Sequence, residues 1–365
     1  MSERFVARRR RALDAARVFG CETVLVTGRT NIRYLSGFTG SAGALLIGAQ
    51  STVLATDGRY VEQAEKESPS VQVDTTRDYH GRLLEIASSI RVGQRIAAET
   101  EHLSWHEIDR LRRFASVDLG VNSVELVGTT GLVEELRIIK DEHEIDCIRR
   151  ACAITGEALL DAIAAVRAGV SERVLAQVFL DGLMARGADG PSFEPIVAVG
   201  ANAAQPHHRP GGSTVTRGEV VLFDVGAAVE GYCADLSRTV TLGPPTDEIA
   251  RIYTVVQEAQ AAAIQVVAPG VDVLEVDQAA RQVIASAGYG DHFVHGTGHG
   301  LGLDIHEPPL IGPSGDGRLK EFSTVTVEPG IYLPGVGGVR IEDTVLVTTQ
   351  GAETLTTVPR ALIEC

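Results

Sequence analysis

The sequence predicts a mixed α/β protein of two domains, with the chemistry in the second. Three observations predict it. The chain has 365 residues, more than one ordinary hydrophobic core organises and comfortable for two. Up to about Val127 the pattern alternates between helical and strand-like, and Gly128-Thr-Thr-Gly131 then gives a turn signal just before a long helical stretch. From about Ser192 the texture changes again, becoming strand-like, punctuated by glycine and carrying most of the histidines. Domain limits of 1–130 and 131–365 follow.

Taken in order, a helix is expected over 2–19 and a strand over 23–27. The Gly/Ser-rich stretch 36–43 turns the chain into the apolar run 44–47, for which 51–55 reads as the hairpin partner. Residues 132–166 carry apolar side chains such as Ile145, Ile148 and Ala151 near helical spacing, and Gly169 stops them. Ser171 is placed to cap the next helix, 172–186. Residues 218–229 and 232–242 read as two strands joined by a tight turn at Glu230-Gly231. Helices over 247–267 and 273–287 interrupt the remaining strands.

Composition excludes several classes of function. Hydrophobic residues are 44% and charged residues 22%, so the chain is neither disordered nor fibrous. No apolar run approaches the roughly 18–20 residues of a membrane span. The net charge of −15 repels phosphate backbones and argues against nucleic acid as a partner. The basic run Arg8–Arg11 is followed by no apolar segment of a secretory signal and reads as a solvated helix face. Five scattered cysteines without a CxxC spacing read as reduced thiols, which points to a cytoplasmic location.

Some familiar motifs fail on inspection. Gly296-Thr-Gly298-His-Gly300-Leu-Gly302 has Leu301 where the dinucleotide fingerprint needs glycine. His102 and His106 are four apart, but Ser104-Trp-His-Glu107 reads as a capping box that starts a helix between them, leaving His102 outside it. His306-Glu307 lacks the second histidine of a zincin.

The chemistry lies elsewhere. If Val229 pairs with Tyr232, partners across the 218–242 hairpin have numbers summing to 461. Asp224 then faces Ser237, and Asp235 is its diagonal neighbour on the same face, about 7–8 Å away. Two carboxylates held there repel each other unless a cation lies between them. Glu328 and Glu342 also sit on strand-like runs that disfavour acidic residues. Arg340 shares a face with Glu342 and is expected to hold it in place. His207, His208, His295, His299 and His306 lie in loops or short strands of the same half. Two Asp, two Glu and one His make a carboxylate-rich set without thiolate. It suits two divalent ions such as Mn²⁺, Co²⁺, Fe²⁺ or Zn²⁺. Such a pair polarises a carbonyl and acidifies water, while free histidines donate to a developing oxyanion. The residues alone argue for metal-assisted hydrolysis of an amide or ester.

Asp224, Asp235, His299, Glu328 and Glu342 resemble the five-ligand signature of the pita-bread metallopeptidases. Within that family the chain looks like the Xaa-Pro aminopeptidases and Xaa-Pro dipeptidases. The supporting stretches are Ser192-Phe-Glu-Pro-Ile-Val, Asn202-Ala-Ala-Gln-Pro-His207, His295-Gly-Thr-Gly-His299 through His306-Glu, and Val327-Glu-Pro-Gly-Ile-Tyr332. Asn31-Ile-Arg-Tyr-Leu-Ser-Gly-Phe-Thr-Gly-Ser41 and Thr56-Asp-Gly-Arg-Tyr60 look like the creatinase-type domain that precedes such catalytic domains. The resemblance implies a creatinase-type α/β domain followed by a pita-bread catalytic domain. It implies two divalent metal ions, Mn²⁺ before Co²⁺, Zn²⁺ or Fe²⁺. Asp224 would bind one metal and His299 and Glu328 the other. Asp235 and Glu342 would bridge them, with Glu328 also shuttling a proton. His207, His295 and His306 match the family's active-site histidines that are not ligands, and Arg340 its arginine near the last ligand.

The implied activity is that of an Xaa-Pro aminopeptidase, with an Xaa-Pro dipeptidase (prolidase) as the alternative. The implied partners are peptides with proline in second position and a second copy of the chain in a homodimer. A methionine aminopeptidase shares the ligands but lacks the full N-terminal domain and the His295 and Arg340 pair. A metal-free amidinohydrolase, or a peptide-binding module on the same fold, is disfavoured by the intact ligand set.

Overall fold

The structure, a computed structural model, describes residues 2–91, 93–120 and 123–365. It divides into two compact units, Met1–Arg137 and Ile138–Cys365. The turn signal at Gly128–Gly131 precedes this seam, because the short helix Glu134–Arg137 still belongs to the first unit. Among the described residues, no helix is long and apolar enough to cross a membrane, and all five cysteines are free.

The first unit is a six-stranded sheet with helices. Its strands are β1 (Thr23–Val26), β2 (Ala44–Ile47), β3 (Thr52–Thr56), β4 (Gln72–Thr75), β5 (Gln94–Glu99) and β6 (Val124–Thr129), in the order β4-β3-β2-β1-β5-β6. The expected hairpin is present, with Ala44 opposite Ala55 and Ile47 opposite Thr52. β1 and β2 are buried along their whole length, as their unbroken apolar runs require. The helices are α1 (Ser2–Arg17), α2 (Arg29–Ser36), α3 (Val61–Glu67), α4 (Tyr79–Ile90), α5 (Trp105–Arg113) and α6 (Glu134–Arg137).

Two details of this unit differ from expectation. Half of the basic run on α1 is not solvated, since Arg8 and Arg9 are buried. Their guanidinium groups donate to the carbonyls of Tyr34 and Leu35, 3.1 and 3.0 Å away, which lie in the last turn of α2. A helix C-terminus leaves such carbonyls without partners, and two arginines satisfy them here. Second, Ser104 caps α5 by accepting from the Glu107 N–H, but the capping box is one-sided. The Glu107 carboxylate instead meets His80 and Arg110. His102 does lie outside the helix, with its Nε2 2.9 Å from Glu134 Oε1.

In the second unit the long helical stretch is broken. α7 (Glu142–Ala164) begins with a complete capping box between Asp141 and Glu144, a start signal that apolar spacing alone does not register. α8 (Glu172–Ala185) is capped by Ser171, as expected. α9 (Asp247–Val266) and α10 (Val273–Ser286) pack on each other and on the strands in one large apolar cluster. A second cluster joins α7 and α8 to the strands around Phe223 and Val240.

The strands of this unit are β7 (Gly190–Pro191), β8 (Ile196–Val199), β9 (Val220–Val225), β10 (Ala227–Val229), β11 (Tyr232–Cys233), β12 (Leu236–Thr241), β13 (Gly298–Gly300), β14 (Glu307–Ile311), β15 (Thr324–Val327), β16 (Gly330–Leu333), β17 (Gly337–Arg340), β18 (Asp343–Thr348), β19 (Gly351–Thr354) and β20 (Ile363–Glu364). One sheet has the order β20-β12-β9-β8 and another β14-β13-β15-β18-β19. The hairpin register matches the expectation: Val229 pairs with Tyr232, and Asp224 with Ser237. Glu230 and Gly231 both take positive φ, 47° and 74°, as the two central residues of a primed hairpin turn must.

Between β9 and β10 the strand is re-aimed at Gly226. A Cβ there would lie 2.0 Å from the Ala234 carbonyl oxygen and 2.5 Å from Ser192 Oγ. Gly226→Ala is therefore expected to lower stability by about 1–3 kcal/mol. In urea titrations the midpoint should fall while the m-value is unchanged, and a wild-type midpoint would refute the close approach.

Candidate metal centre

The site residues come from strand ends. Asp224 lies on β9, and Asp235 follows β11. His299 is the middle residue of β13, Glu328 follows β15, and Glu342 precedes β18. The two sheets are tied together where these residues meet. The Glu342 N–H donates to the Ser237 carbonyl at 3.2 Å, and the Arg340 N–H donates to Thr239 Oγ1 at 3.2 Å. The Thr344 hydroxyl donates to the Asp235 carbonyl at 2.9 Å.

The structure brings the side chains to one place. Ligand atoms of Asp235, His299 and Glu342 all lie within 4.8 Å of one another. His299 Nε2 is 3.6 Å from Asp235 Oδ2 and 3.4 Å from Glu328 Oε1. Its Nδ1 meets the Gly300 carbonyl at 2.9 Å, so Nδ1 carries the proton and the lone pair of Nε2 faces the carboxylates. A lone pair aimed at two carboxylate oxygens is repulsive until a cation lies between them.

Electrostatics lead to the same conclusion. Burial pushes the Asp235 and Glu342 carboxyls well above the usual carboxylate range, and their acidic neighbours push them further the same way. Burial raises Glu328 to about 7, with Arg340 pulling against it. Asp224 Oδ1, Asp235 Oδ1 and Glu342 Oε1 are buried without any hydrogen-bond partner. Three orphaned acceptor atoms on three adjacent carboxylates are costly unless they coordinate something. The donor set, oxygens with one imidazole nitrogen, fits divalent cations of intermediate hardness.

Arg340 is placed differently from expectation. It does not touch Glu342 but donates to Asp224 Oδ2 at 2.6 Å, Ser237 Oγ at 2.8 Å and the Tyr332 hydroxyl at 2.7 Å. The Ser237 hydroxyl in turn donates to Glu342 Oε2 at 2.8 Å. The chain breaks strand geometry at Ile341 and Glu342, so the face alternation that paired Arg340 with Glu342 does not carry across. Behind Glu342, the buried guanidinium of Arg238 donates to Asp343 Oδ1 at 2.8 Å and to the backbone carbonyls of Ser237 and Glu342. The strands that begin just after Asp235 and Glu342 are thereby fixed from the side away from the site.

The histidines are arranged around this cluster. His295 Nδ1 meets the Gly296 carbonyl at 2.7 Å, and its Nε2 lies 2.8 Å from the Tyr332 hydroxyl. Burial, then the charge of Arg340, lowers His295 to about 4, so the ring stays neutral. His306 stacks edge-on against His299 with ring centres 4.4 Å apart, and burial lowers its pKa as well. His207 is exposed, yet near enough that its charge depresses both His295 and His306. His208 is tied to Glu172, 2.9 Å away. The loop that holds His295 and His299 is anchored by α10: the Asp277 carboxylate accepts from the N–H and hydroxyl of Thr297, and Arg281 donates to the His295 carbonyl. Tyr332 and Ser237 have roles that the sequence reading did not assign. Both were in view, one in the Val327–Tyr332 motif and the other opposite Asp224.

Two family models match the chain. The creatinase/prolidase N-terminal domain matches residues 8–139, and metallopeptidase family M24 matches residues 146–349. An Xaa-Pro dipeptidase of Pyrococcus horikoshii is 34% identical over 344 residues, 94% of each chain. Among solved structures, an Xaa-Pro dipeptidase from Bacillus anthracis superposes with a TM-score of 0.93 at 35% identity, covering 99% of this chain and 100% of that one. An X-Pro aminopeptidase from Thermotoga maritima gives 0.87 at 35% identity, covering 96% and 100%. With a fold matched over its whole length and the carboxylate cluster where its sheets join, the chain belongs to metallopeptidase family M24, the pita-bread metallopeptidases, and carries the family's creatinase-type domain at its N-terminal side.

Proposed function

We propose that this chain hydrolyses the bond between an N-terminal residue and proline, with dipeptides as its preferred substrates. The observation that carries the reading is the clustering of Asp235, His299 and Glu342, with Glu328 beside His299 and with buried carboxylate oxygens on Asp224, Asp235 and Glu342 that have no hydrogen-bond partner. The dipeptidase preference is supported by the Pyrococcus and Bacillus relatives, both named as Xaa-Pro dipeptidases. The Thermotoga neighbour favours the aminopeptidase reading that the sequence put first. The proline bond is a tertiary amide without an N–H, so a dedicated peptidase must recognise it.

In this reading Asp224, Asp235, His299, Glu328 and Glu342 hold two divalent ions, with Mn²⁺ as the favoured metal. Bound there, the ions supply Lewis acidity that polarises a carbonyl and acidifies water. The chain does the rest. Glu328 takes and returns a proton at its carboxylate. Neutral His306 and exposed His207 line the approach to the cluster and donate hydrogen bonds to the scissile carbonyl. Arg340 and Tyr332 orient Asp224 and His295, keeping the imidazole in one tautomer. Burial opposes the charge of Arg340, but Tyr332, Asp224, Glu328 and Glu342 more than offset that, so it remains a cation at any working pH.

Cleavage of Ala-Pro, Ala-Pro-Ala and Met-Ala-Ser by chelator-stripped protein, before and after Mn²⁺, tests the activity. Metal-dependent release of alanine from Ala-Pro, faster than from Ala-Pro-Ala, is expected. The reverse ratio would favour the aminopeptidase. No cleavage with any divalent ion would leave a peptide-binding module.

Asp235→Ala should lose bound metal and at least about a hundredfold in rate together. His306→Ala should keep its metal and lose about 10²–10³ in kcat, as an oxyanion donor does. An Asp235→Ala protein that retains metal and full activity would overturn the ligand assignment.

The raised carboxyls also set a pH dependence. Between the ordinary carboxylate value of 4.5 and about 7, folded Glu328 binds a proton that the unfolded chain has released. Stability of the metal-free protein should therefore fall as pH rises through 7, by on the order of 1–3 kcal/mol. Mn²⁺ should remove this loss, and Glu328→Gln should reduce it, leaving the part that the raised Asp235 and Glu342 carboxyls contribute. Denaturant midpoints from pH 5 to 8 that do not change with pH would contradict the buried-carboxyl picture.

A further inference from the structure

Outside this centre, two other groups of metal-ligating side chains occur among the described residues. In Glu99–His102–Glu134 the middle is already filled, because the Asn31 amide donates to both glutamates and sits 3.4 Å from His102 Nε2. His143–Cys147–Glu230 is different. It combines nitrogen, sulfur and oxygen, a softer set than the catalytic cluster.

His143 and Cys147 are four residues apart near the start of α7, so their side chains lie one turn apart on one face. Glu230 reaches them from the β10–β11 turn. His143 Nε2 is 3.3 Å from Glu230 Oε2 and 3.6 Å from Cys147 Sγ, and ligand atoms of all three lie within 4.8 Å. Tetrahedral zinc with ordinary bond lengths sets its nitrogen and oxygen ligands about 3.4 Å apart and its nitrogen and sulfur ligands about 3.6 Å apart. The two edges that meet at His143 Nε2 already have the lengths of a zinc polyhedron. Glu230 adopts this geometry with a φ of 47°, a turn position that asparagine or glycine occupies more comfortably. The turn does not need a glutamate, and the cluster does.

A cation already sits against these atoms. Arg150 Nη2 donates to Cys147 Sγ at 3.3 Å and to Glu230 Oε1 at 2.7 Å. Arg150 has a second carboxylate at hand, Asp146, 3.1 Å from its Nε, and its side chain is 46% exposed. It can turn outward without entering a drier environment.

We propose that His143, Cys147 and Glu230 form a thiolate-containing Zn²⁺ site, entered when Arg150 swings to Asp146, with water as the fourth ligand. Binding the metal would displace the Cys147 thiol proton to solvent. Loaded, the site pins the hairpin tip to α7, and that hairpin carries Asp224.

Co²⁺ is the probe, added to protein preloaded with Mn²⁺. The catalytic cluster contains no sulfur, so a thiolate-to-cobalt charge-transfer band in the near ultraviolet reports the new site alone. We expect the band in the wild type, its displacement by Zn²⁺, and its loss in Cys147→Ser. His143→Ala, at a half-exposed position where folding is not at risk, should weaken Co²⁺ binding at least about tenfold. Arg150→Ala, by removing the competing cation, should tighten it. Absence of the band in the wild type at millimolar Co²⁺, or an undiminished band in Cys147→Ser, would overturn the site. Unchanged or weaker binding in Arg150→Ala would overturn the displacement step.

Discussion

Four carboxylates that cannot all be ionised side by side are the constraint around which the second unit is built. Asp224, Asp235, Glu328 and Glu342 are crowded together, and among the described residues Arg340 is the arginine that donates into the cluster, to Asp224 Oδ2. At an effective dielectric near 20, a single pair of like charges 4 Å apart costs about 4 kcal/mol. Such a cluster is an energetic liability in the empty protein and a strong preference for cations in the loaded one. Burial, with Asp224 adding to it, raises Glu328 to about 7, the range in which a carboxyl is most useful as a proton carrier.

The fold tolerates the liability by over-determining the backbone. Asp224 and Asp235 are held by one hairpin whose register is fixed on both sides of Gly226. Glu342 is held by the opposite sheet and bonded through its N–H to the first. The Arg238–Asp343 pair then grips both strands from behind, and Gln260, Thr356 and Arg360 also contact the Asp343 carboxylate. Removing Asp343 would leave the buried Arg238 guanidinium without a carboxylate, which costs several times what an exposed pair contributes. The histidine loop is fixed independently through Asp277. Backbone fixed on three sides holds the carboxylates and His299 facing one another.

Much of this was legible in the sequence because it follows from period and turn chemistry. The hairpin register came from one assumption, Val229 opposite Tyr232, and Glu230-Gly231 supplied the turn that enforces it. Charged residues on otherwise apolar strands marked Asp224, Glu328 and Glu342. What could not be read depended on breaks in that period. Residues 341 and 342 leave the strand, so Arg340 points to Asp224 and not to Glu342. Asp141 restarts a helix that the apolar spacing carries straight through. Arg8 and Arg9 look like solvent-facing charge until the end of α2, 26 residues further along, is packed against them. Tyr332 and Ser237 matter through hydrogen bonds between distant strands, and no local pattern encodes those.

The arginines of α1 have a practical corollary. Because their guanidinium groups close the last turn of α2, α1 is part of the hydrogen-bonding of the first unit and not a free arm. A protease that cut within α1 would have to open the α2 terminus as well. The rate of cutting there should therefore follow the opening of the whole N-terminal unit, which makes limited proteolysis of α1 a direct gauge of that unit's folding.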